Sequence, residues 1–243
     1  YYASRGLGVY KRQVIILAGG LGTRLRSAIG NEIPKCMAFV AGKPFLWYLL
    51  KYLTRYDVNR VVLSVGYLRE VIYKWVDEMK KDFSFEFDYA VEEEPLGTGG
   101  GIKLALSKCQ SNDVVVLNGD TFFDVNLNKF YDMHRLASAS VSLALKPMRN
   151  LDRYGRVLID TASHKVKAFC EKQHCAEGLI NGGVYFISRS AIDEDWPLKE
   201  KFSFETEVLE SSVVKGNLYA FDFDGYFIDI GIPSDYKLSL IHI

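Results

Sequence analysis

A short apolar run, Val14–Leu17, leads into Gly19-Gly20-Leu21-Gly22-Thr23-Arg24-Leu25, and Pro34-Lys35 follows further on. Glycines at the end of a strand let backbone N–H groups approach a polyphosphate closely. Arg24 and Lys35 add fixed positive charge, arginine as a planar fork and lysine as a point charge. Two familiar phosphate loops do not fit. The dinucleotide fingerprint G-x-G-x-x-G, placed on Gly20 and Gly22, puts Leu25 where its third glycine belongs. A P-loop needs Lys-Ser or Lys-Thr after its glycines, and neither follows here. Two aspartates could serve such a site. Asp120 closes the run VVVLNGD and Asp229 closes YFID, so both can reach one sheet edge. A hard divalent cation such as Mg²⁺ takes one or two carboxylates together with phosphate oxygens and water. An ordinary turn aspartate is the competing reading at each position.

The elements that must carry these residues alternate. Strands are expected at Val14–Leu17, Val61–Val65, Phe85–Val91, Val114–Leu117 and Val141–Leu145, and helices at Pro44–Tyr56, Leu68–Met79, Gly101–Ser107 and Asn126–Leu136. This alternation predicts an α/β fold with a doubly wound, mainly parallel mixed sheet. Ligands of such sheets bind beyond the carboxyl ends of the strands. The glycine loop and Asn118-Gly119-Asp120 both lie there. After Leu145 the texture becomes strand-rich. A hairpin is expected from Gly155–Asp160 and Lys165–Glu171, strands at Gly183–Ile187, Leu218–Phe223 and Tyr226–Ile230, and a helix at Phe204–Val214. This part reads as a smaller lobe packed onto the first sheet.

The 243 residues carry 30 basic and 30 acidic side chains, which argues against a general nucleic-acid binder. No apolar run approaches the roughly 18 residues of a transmembrane helix, so no membrane is expected as a partner. Tyr1–Gln13 lacks the apolar core of a signal peptide. The four cysteines form no CxxC pair and read as ordinary reduced thiols; Cys170 and Cys175, with His174 beside the latter, make a poor metal set. The strings VYKRQ near the start and LSLIHI at the end resemble translated sequencing-adapter read-through. Residues 1–12 and 239–243 are therefore expected not to belong to the natural protein.

G-G-x-G-T-R-L followed by P-K resembles the signature of the sugar-1-phosphate nucleotidylyltransferases, and the likeness runs from Val14 to about Leu238. Glu94-Pro95-Leu96-Gly97-Thr98-Gly99 resembles that family's nucleobase turn, and Asn118-Gly119-Asp120 its metal-bearing strand end. Phe169-Cys170-Glu171-Lys172 and Asn181-Gly182-Gly183-Val184-Tyr185 resemble its sugar-binding elements. Residues 229–236, DIGIPSDY, resemble its closing D-I-G-T-P-x-D-Y, with Ile232 in place of the usual threonine. The resemblance implies a Rossmann-like nucleotidyltransferase unit over residues 13–240, its nucleotide part 13–146 and its sugar part 147–240. It implies a nucleotide site of Leu17, Ala18, Gly19, Gly20, Gly22, Thr23, Arg24, Glu92, Glu94, Pro95, Gly97 and Thr98. It implies a sugar-phosphate site of Asn118, Gly155, Glu171, Lys172, Asn181 and Gly182, catalytic Arg24, Lys35, Asp120 and Asp229, and Mg²⁺ on the two aspartates. For Glu171 and Lys172, an exposed ion pair at a strand end is a serious competitor.

The implied reaction is nucleotidyl transfer, in which a sugar 1-phosphate oxygen attacks the α-phosphorus of a nucleoside triphosphate and pyrophosphate leaves in line. Charge neutralisation and alignment are the whole task. Arg24 bears on the β- and γ-phosphates, Lys35 bridges the α-phosphate and the sugar phosphate, and Lys172 holds the latter. No general base is needed, because the attacking phosphate is already ionised. His134, His164, His174 and His242 are read as surface residues. Segments such as EPLGTGGGIK, LDRYGRV, EKFSFE and GYFIDIGIPSDY are most like those of members using GTP and D-glycero-D-manno-heptose 1-phosphate. Members using mannose, glucose or N-acetylmuramate 1-phosphate share several of them. A carboxylate at Glu92 or Glu94 can accept the adjacent N1–H and N2–H of guanine; a solvated acidic turn is the alternative. The resemblance also implies a cytoplasmic enzyme feeding capsule, lipopolysaccharide or S-layer glycans, and leaves monomer and homo-oligomer both open.

Two other classes compete. A glycosyltransferase of related topology would carry a D-x-D metal motif, which Asp120 and Asp124 do not form, and would leave Arg24 and Lys35 unexplained. A silent nucleotide-sugar sensor would be expected to have lost the arginine, the lysine or a metal aspartate, and all are present.

Overall fold

The computed structural model describes residues 11–20, 22, 25–151, 153–171, 175–190, 192, 196–231, 233 and 235–237. Thr23, Arg24 and Lys172 therefore lie outside the described residues, as do residues 1–10 and 238–243, on which most of the reading of the chain ends falls. The first part of the chain runs β1 (Arg12–Leu17), α1 (Arg26–Ile29), a small hairpin of β2 (Phe39–Val40) and β3 (Lys43–Pro44), α2 (Phe45–Leu53) and β4 (Val58–Val65). It continues through α3 (Arg69–Met79), β5 (Glu86–Val91), α4 (Gly97–Leu106), β6 (Asp113–Asn118), β7 (Thr121–Phe123) and α5 (Leu127–Leu136). Then come β8 (Val141–Arg149), β9 (Arg156–Ile159), β10 (Val166–Cys170) and β11 (Glu177–Ser188). A π-helical segment, Phe204–Leu209, leads into α6 (Glu210–Lys215), followed by β12 (Leu218–Asp222) and β13 (Phe227–Asp229).

Strands β6, β1, β4 and β5 lie side by side and parallel, as the alternation predicts. Their sequences are nearly continuous apolar runs because helices cover both faces of a parallel sheet. Val14, Ile16, Val61, Leu63, Val115 and Leu117 face one core with side chains of α2, α3 and α5. Ile15, Val62, Val114 and Val116 face the other with α4 and the Phe204–Leu209 segment.

The second part joins this sheet instead of packing onto it as a separate lobe. β11 pairs antiparallel with β6, β9 and β10 extend the edge beyond it, and β8 pairs with β11 and β12. β11 is also much longer than the expected Gly183–Ile187, with a register break between Asn181 and Tyr185. Gly183 takes a positive φ of 71° there, a conformation that favours glycine.

Helix α4 starts at Gly97, ahead of the expected Gly101. Glycines weaken a helix interior, but here they make room for another segment. A side chain at Gly99 would meet the Phe202 ring at 2.3 Å, and one at Gly100 would meet the Glu200 carbonyl oxygen at 2.2 Å. His134 is not a surface residue. It is 1% exposed, stacked on Phe186, with Nδ1 2.8 Å from Ser142 Oγ and Nε2 3.1 Å from Ser188 Oγ. Among the described residues no helix is long and apolar enough to cross a membrane.

Candidate active site

The carboxyl ends of β1, β4, β5 and β6 open into a cleft of about 450 Å³. Backbone bonds fix its rim: Ala18 N–H to Ser64 O (2.8 Å), Gly119 N–H to Leu17 O (3.0 Å) and Glu92 N–H to Val65 O (2.8 Å). Of the expected residues, Leu17, Ala18, Gly19, Gly20, Lys35, Glu92, Pro95, Gly97, Thr98, Asn118 and Asp120 line it. Gly22 lies beside it with φ +64°; a Cβ there would meet Lys35 Cγ at 3.0 Å.

Lys35 opens a 3₁₀ turn, Lys35–Met37, anchored by buried Cys36 and Met37. Its ammonium reaches Asp120 Oδ2 at 2.7 Å. Asp229 comes to the same place because β13 pairs with β7, with Asp229 opposite Thr121 and Ile230 N–H bonded to Asp120 O at 2.9 Å. Two aspartates distant in sequence thus meet across a two-strand ribbon. The glycine after them keeps the space between open. A Cβ on Gly231 would stand 2.9 Å from Asp229 Oδ1, 3.0 Å from Asp120 Oδ2 and 3.3 Å from Lys35 Nζ.

Burial first, and then the Asp120 charge, push the Asp229 carboxyl up to about 6; the Gly231 N–H at 2.7 Å and Lys35 oppose the shift. Like charges held together in a low-dielectric corner want a cation. Two carboxylates around an open space suit a hard divalent ion that completes its shell with phosphate oxygens and water. Among the described residues no group of three or more His, Cys, Asp and Glu gathers at one point, so a site built wholly from protein ligands is not present among them. The Cys36 thiol in the cleft floor is pushed up to about 12, chiefly by burial and next by Asp120, which makes it a poor nucleophile.

Away from this corner, the Glu92 carboxylate is braced at both oxygens. Oε1 accepts from Ser64 Oγ at 2.9 Å and Oε2 from the Leu96 N–H at 3.1 Å. Glu94 is exposed and does not line the cleft. The expected sugar residues are dispersed. Glu171 is exposed just past β10, and Gly155 packs against the Cys170 carbonyl. Gly182 lies against Phe123 and the Ala144 carbonyl. Asn181 donates to the Tyr185 hydroxyl at 2.9 Å, and that hydroxyl also bonds Asn118. Of the described members of that set, only Asn118 lines the cleft.

Ser64, Cys36, Gly101, Gly119 and Glu205 also line it without having been assigned a role from sequence. Gly119 lies within the N-G-D string. Glu205 lies within EKFSFE, but no spacing rule links it to the glycine loop.

The model of the nucleotidyl transferase family matches residues 13–239. The chain belongs to the nucleotidyl transferase family. Among relatives of this nucleotidyl transferase, the D-glycero-alpha-D-manno-heptose 1-phosphate guanylyltransferase of Aneurinibacillus thermoaerophilus is 47% identical, over 93% of this chain and 95% of that protein. The protein of the same name from Campylobacter jejuni is 46% identical, over 95% and 99%. Among solved structures, HddC from Yersinia pseudotuberculosis complexed with GMP-PN superposes with a TM-score of 0.84. It is 37% identical and the match covers 94% of this chain and 98% of that one.

Proposed function

We propose that this nucleotidyl transferase joins GTP and D-glycero-D-manno-heptose 1-phosphate to give GDP-heptose and pyrophosphate. The observation that carries the reaction class is the corner where Lys35, Asp120 and Asp229 converge on the space kept open by Gly231. The choice of substrates rests on the relatives at 47% and 46% identity, matched over nearly their whole length.

In this reading the glycine loop takes the triphosphate on backbone N–H groups, and Arg24 draws off charge as pyrophosphate leaves. Lys35 lets go of Asp120 and bridges the α-phosphate and the incoming sugar phosphate, lining up attack and departure. The family is generally dependent on a divalent metal. Asp120 and Asp229 would hold Mg²⁺, which supplies charge neutralisation between the two phosphates. The attacking oxygen is already ionised, so no side chain has to remove a proton. Glu92 accepts the guanine N1–H and N2–H on the remaining lone pairs of its braced oxygens; uracil and thymine, with one N–H between two carbonyls, are repelled. Asn118, Asn181 and Gly182, with Gly155, Glu171 and Lys172, remain the proposed sugar-phosphate side. The cytoplasm, where GTP is made, is the expected location.

A pyrophosphate-release assay with Mg²⁺ tests this. It crosses GTP, UTP, dTTP, CTP and ATP against heptose, mannose, glucose and N-acetylmuramate 1-phosphates. Release with GTP and the heptose 1-phosphate above all other pairs is expected. Release with another pair alone overturns the substrate assignment and keeps the reaction class; release with none, from folded protein, overturns both.

A further inference from the structure

Among the described residues that line the cleft, Glu205 alone follows Asp120 in the chain. It lies in the first turn of the π-helical segment, a rare conformation that often marks functional positions. Its side chain is pinned by bonds converging on one oxygen: Oε2 accepts from Thr98 Oγ1 at 2.6 Å and from Ser203 Oγ at 3.0 Å. Thr98 Oγ1 in turn accepts the Phe204 N–H at 2.9 Å. Among the described residues no donor reaches Oε1. Glu92, by contrast, has a protein donor on each oxygen.

We propose that Glu205 is a specificity-determining residue whose Oε1 accepts hydrogen bonds from hydroxyl groups of the sugar 1-phosphate. The inference rests on the reading of this cleft as a sugar-1-phosphate nucleotidyltransferase site. A carboxylate here has to face an uncharged, donor-bearing part of the ligand, since facing a phosphate would be repulsive. At the neighbouring helix end the Phe202 carbonyl already accepts the Gly99 N–H at 3.0 Å. The base is served by Glu92. Burial first, and then the nearby Glu205 charge, push the Tyr185 hydroxyl up. Through that hydroxyl Glu205 neighbours Asn118, which lines the cleft, and Asn181, the two asparagines proposed for the sugar phosphate. A hydroxyl-reading carboxylate discriminates strongly, because a ligand lacking the hydroxyl leaves a desolvated charge unpaired.

Glu205→Gln keeps the size and the acceptor for Thr98 but turns the ligand-facing oxygen into an N–H donor. It is expected to raise the KM for the sugar 1-phosphate about tenfold and to leave the KM for GTP within about twofold. Calorimetric titration gives an arm that needs no turnover: the variant should bind GDP like the wild type but GDP-mannose at least about fivefold more weakly. Glu205→Asp, which keeps the charge, should fall between the two. A matching rise in the KM for GTP, or weakened GDP binding, would assign Glu205 to the ribose or base and overturn the proposal. Unchanged binding of both ligands would overturn it as well. Wild-type protein that turns over no sugar 1-phosphate strikes the proposed function instead, and the GDP against GDP-mannose comparison then still decides the role of Glu205.

Discussion

Asp120 stands at one end of the cleft and Asp229 beside it faces the same open space, where burial with the neighbouring charge lifts Asp229 to about 6. At the other end Glu92 and Glu205 each take two hydrogen bonds from hydroxyls or a backbone N–H. The same residue chemistry is left electrostatically unfinished in one place, where Lys35 stands against two carboxylates, and braced by neutral donors in the other. A pair of carboxylates forced together costs stability unless a cation joins them. Carboxylates already held by neutral donors are fixed in place and can read a ligand without rearranging. The contrast assigns charge neutralisation to the corner and recognition to the wall.

The strongest way to break that contrast is to remove charge at the corner. Asp120→Asn or Asp229→Asn should lower kcat/KM by about a thousandfold in the pyrophosphate assay. The stability of the metal-free protein should move the other way. Asp229 holds its proton to about 6, against 3.8 for an ordinary carboxyl, so between those values the folded state binds more protons than the unfolded chain. The stability linked to that proton is complete below pH 3.8 and is lost as the pH rises through 6. Asp229→Asn should therefore raise the unfolding temperature near neutral pH and above, with the gain shrinking as the pH falls towards 3.8. Divalent cation should stabilise the wild type more than the variant. A variant less stable at every pH would contradict the unfinished corner.

At the wall the change should be selective. Glu92→Gln is expected to lower kcat/KM with GTP about tenfold more than with UTP. Equal losses would reduce Glu92 to a strut for the turn it holds through Leu96. The smallest effect on activity is expected away from both regions. Replacing His134 with alanine removes the imidazole partner of the buried Ser142 hydroxyl and one partner of Ser188, which keeps Asp113 and the Ala139 carbonyl. It should cost about 2 kcal/mol in chemical denaturation and leave kcat/KM within about twofold.

The two regions also differ in how far they can be read from sequence. Asp120 and Asp229 each close a short apolar run, and Lys35 stands in the Pro-Lys string after the glycine loop, so local pattern marks all three as chemistry-bearing. The two aspartates meet through the pairing of β7 with β13, and Lys35 joins them from the turn anchored by Cys36 and Met37. The parallel order of β6, β1, β4 and β5 follows likewise from the alternation of elements. Glu205 has no such mark, because its placement depends on Thr98 and on the packing of Phe202 against Gly99. That same packing hides the true start of α4, since four consecutive small residues, Thr98 to Gly101, look like a loop until their neighbours are seen. His134 lies in a polar stretch whose burial is decided by Ser142 and Ser188 on other elements. The motifs around Glu171 and Asn181 were legible as strings, but proximity to the cleft was not.

The central claim is tested most directly by competition. Wild-type protein, Mg²⁺ and GTP are incubated with equal concentrations of D-glycero-D-manno-heptose 1-phosphate and mannose 1-phosphate, and the two sugar nucleotides are separated and quantified at low conversion. The account predicts GDP-heptose in at least about tenfold excess, with one pyrophosphate released per sugar nucleotide formed. GDP-mannose in excess, or either product without matching pyrophosphate, would contradict it.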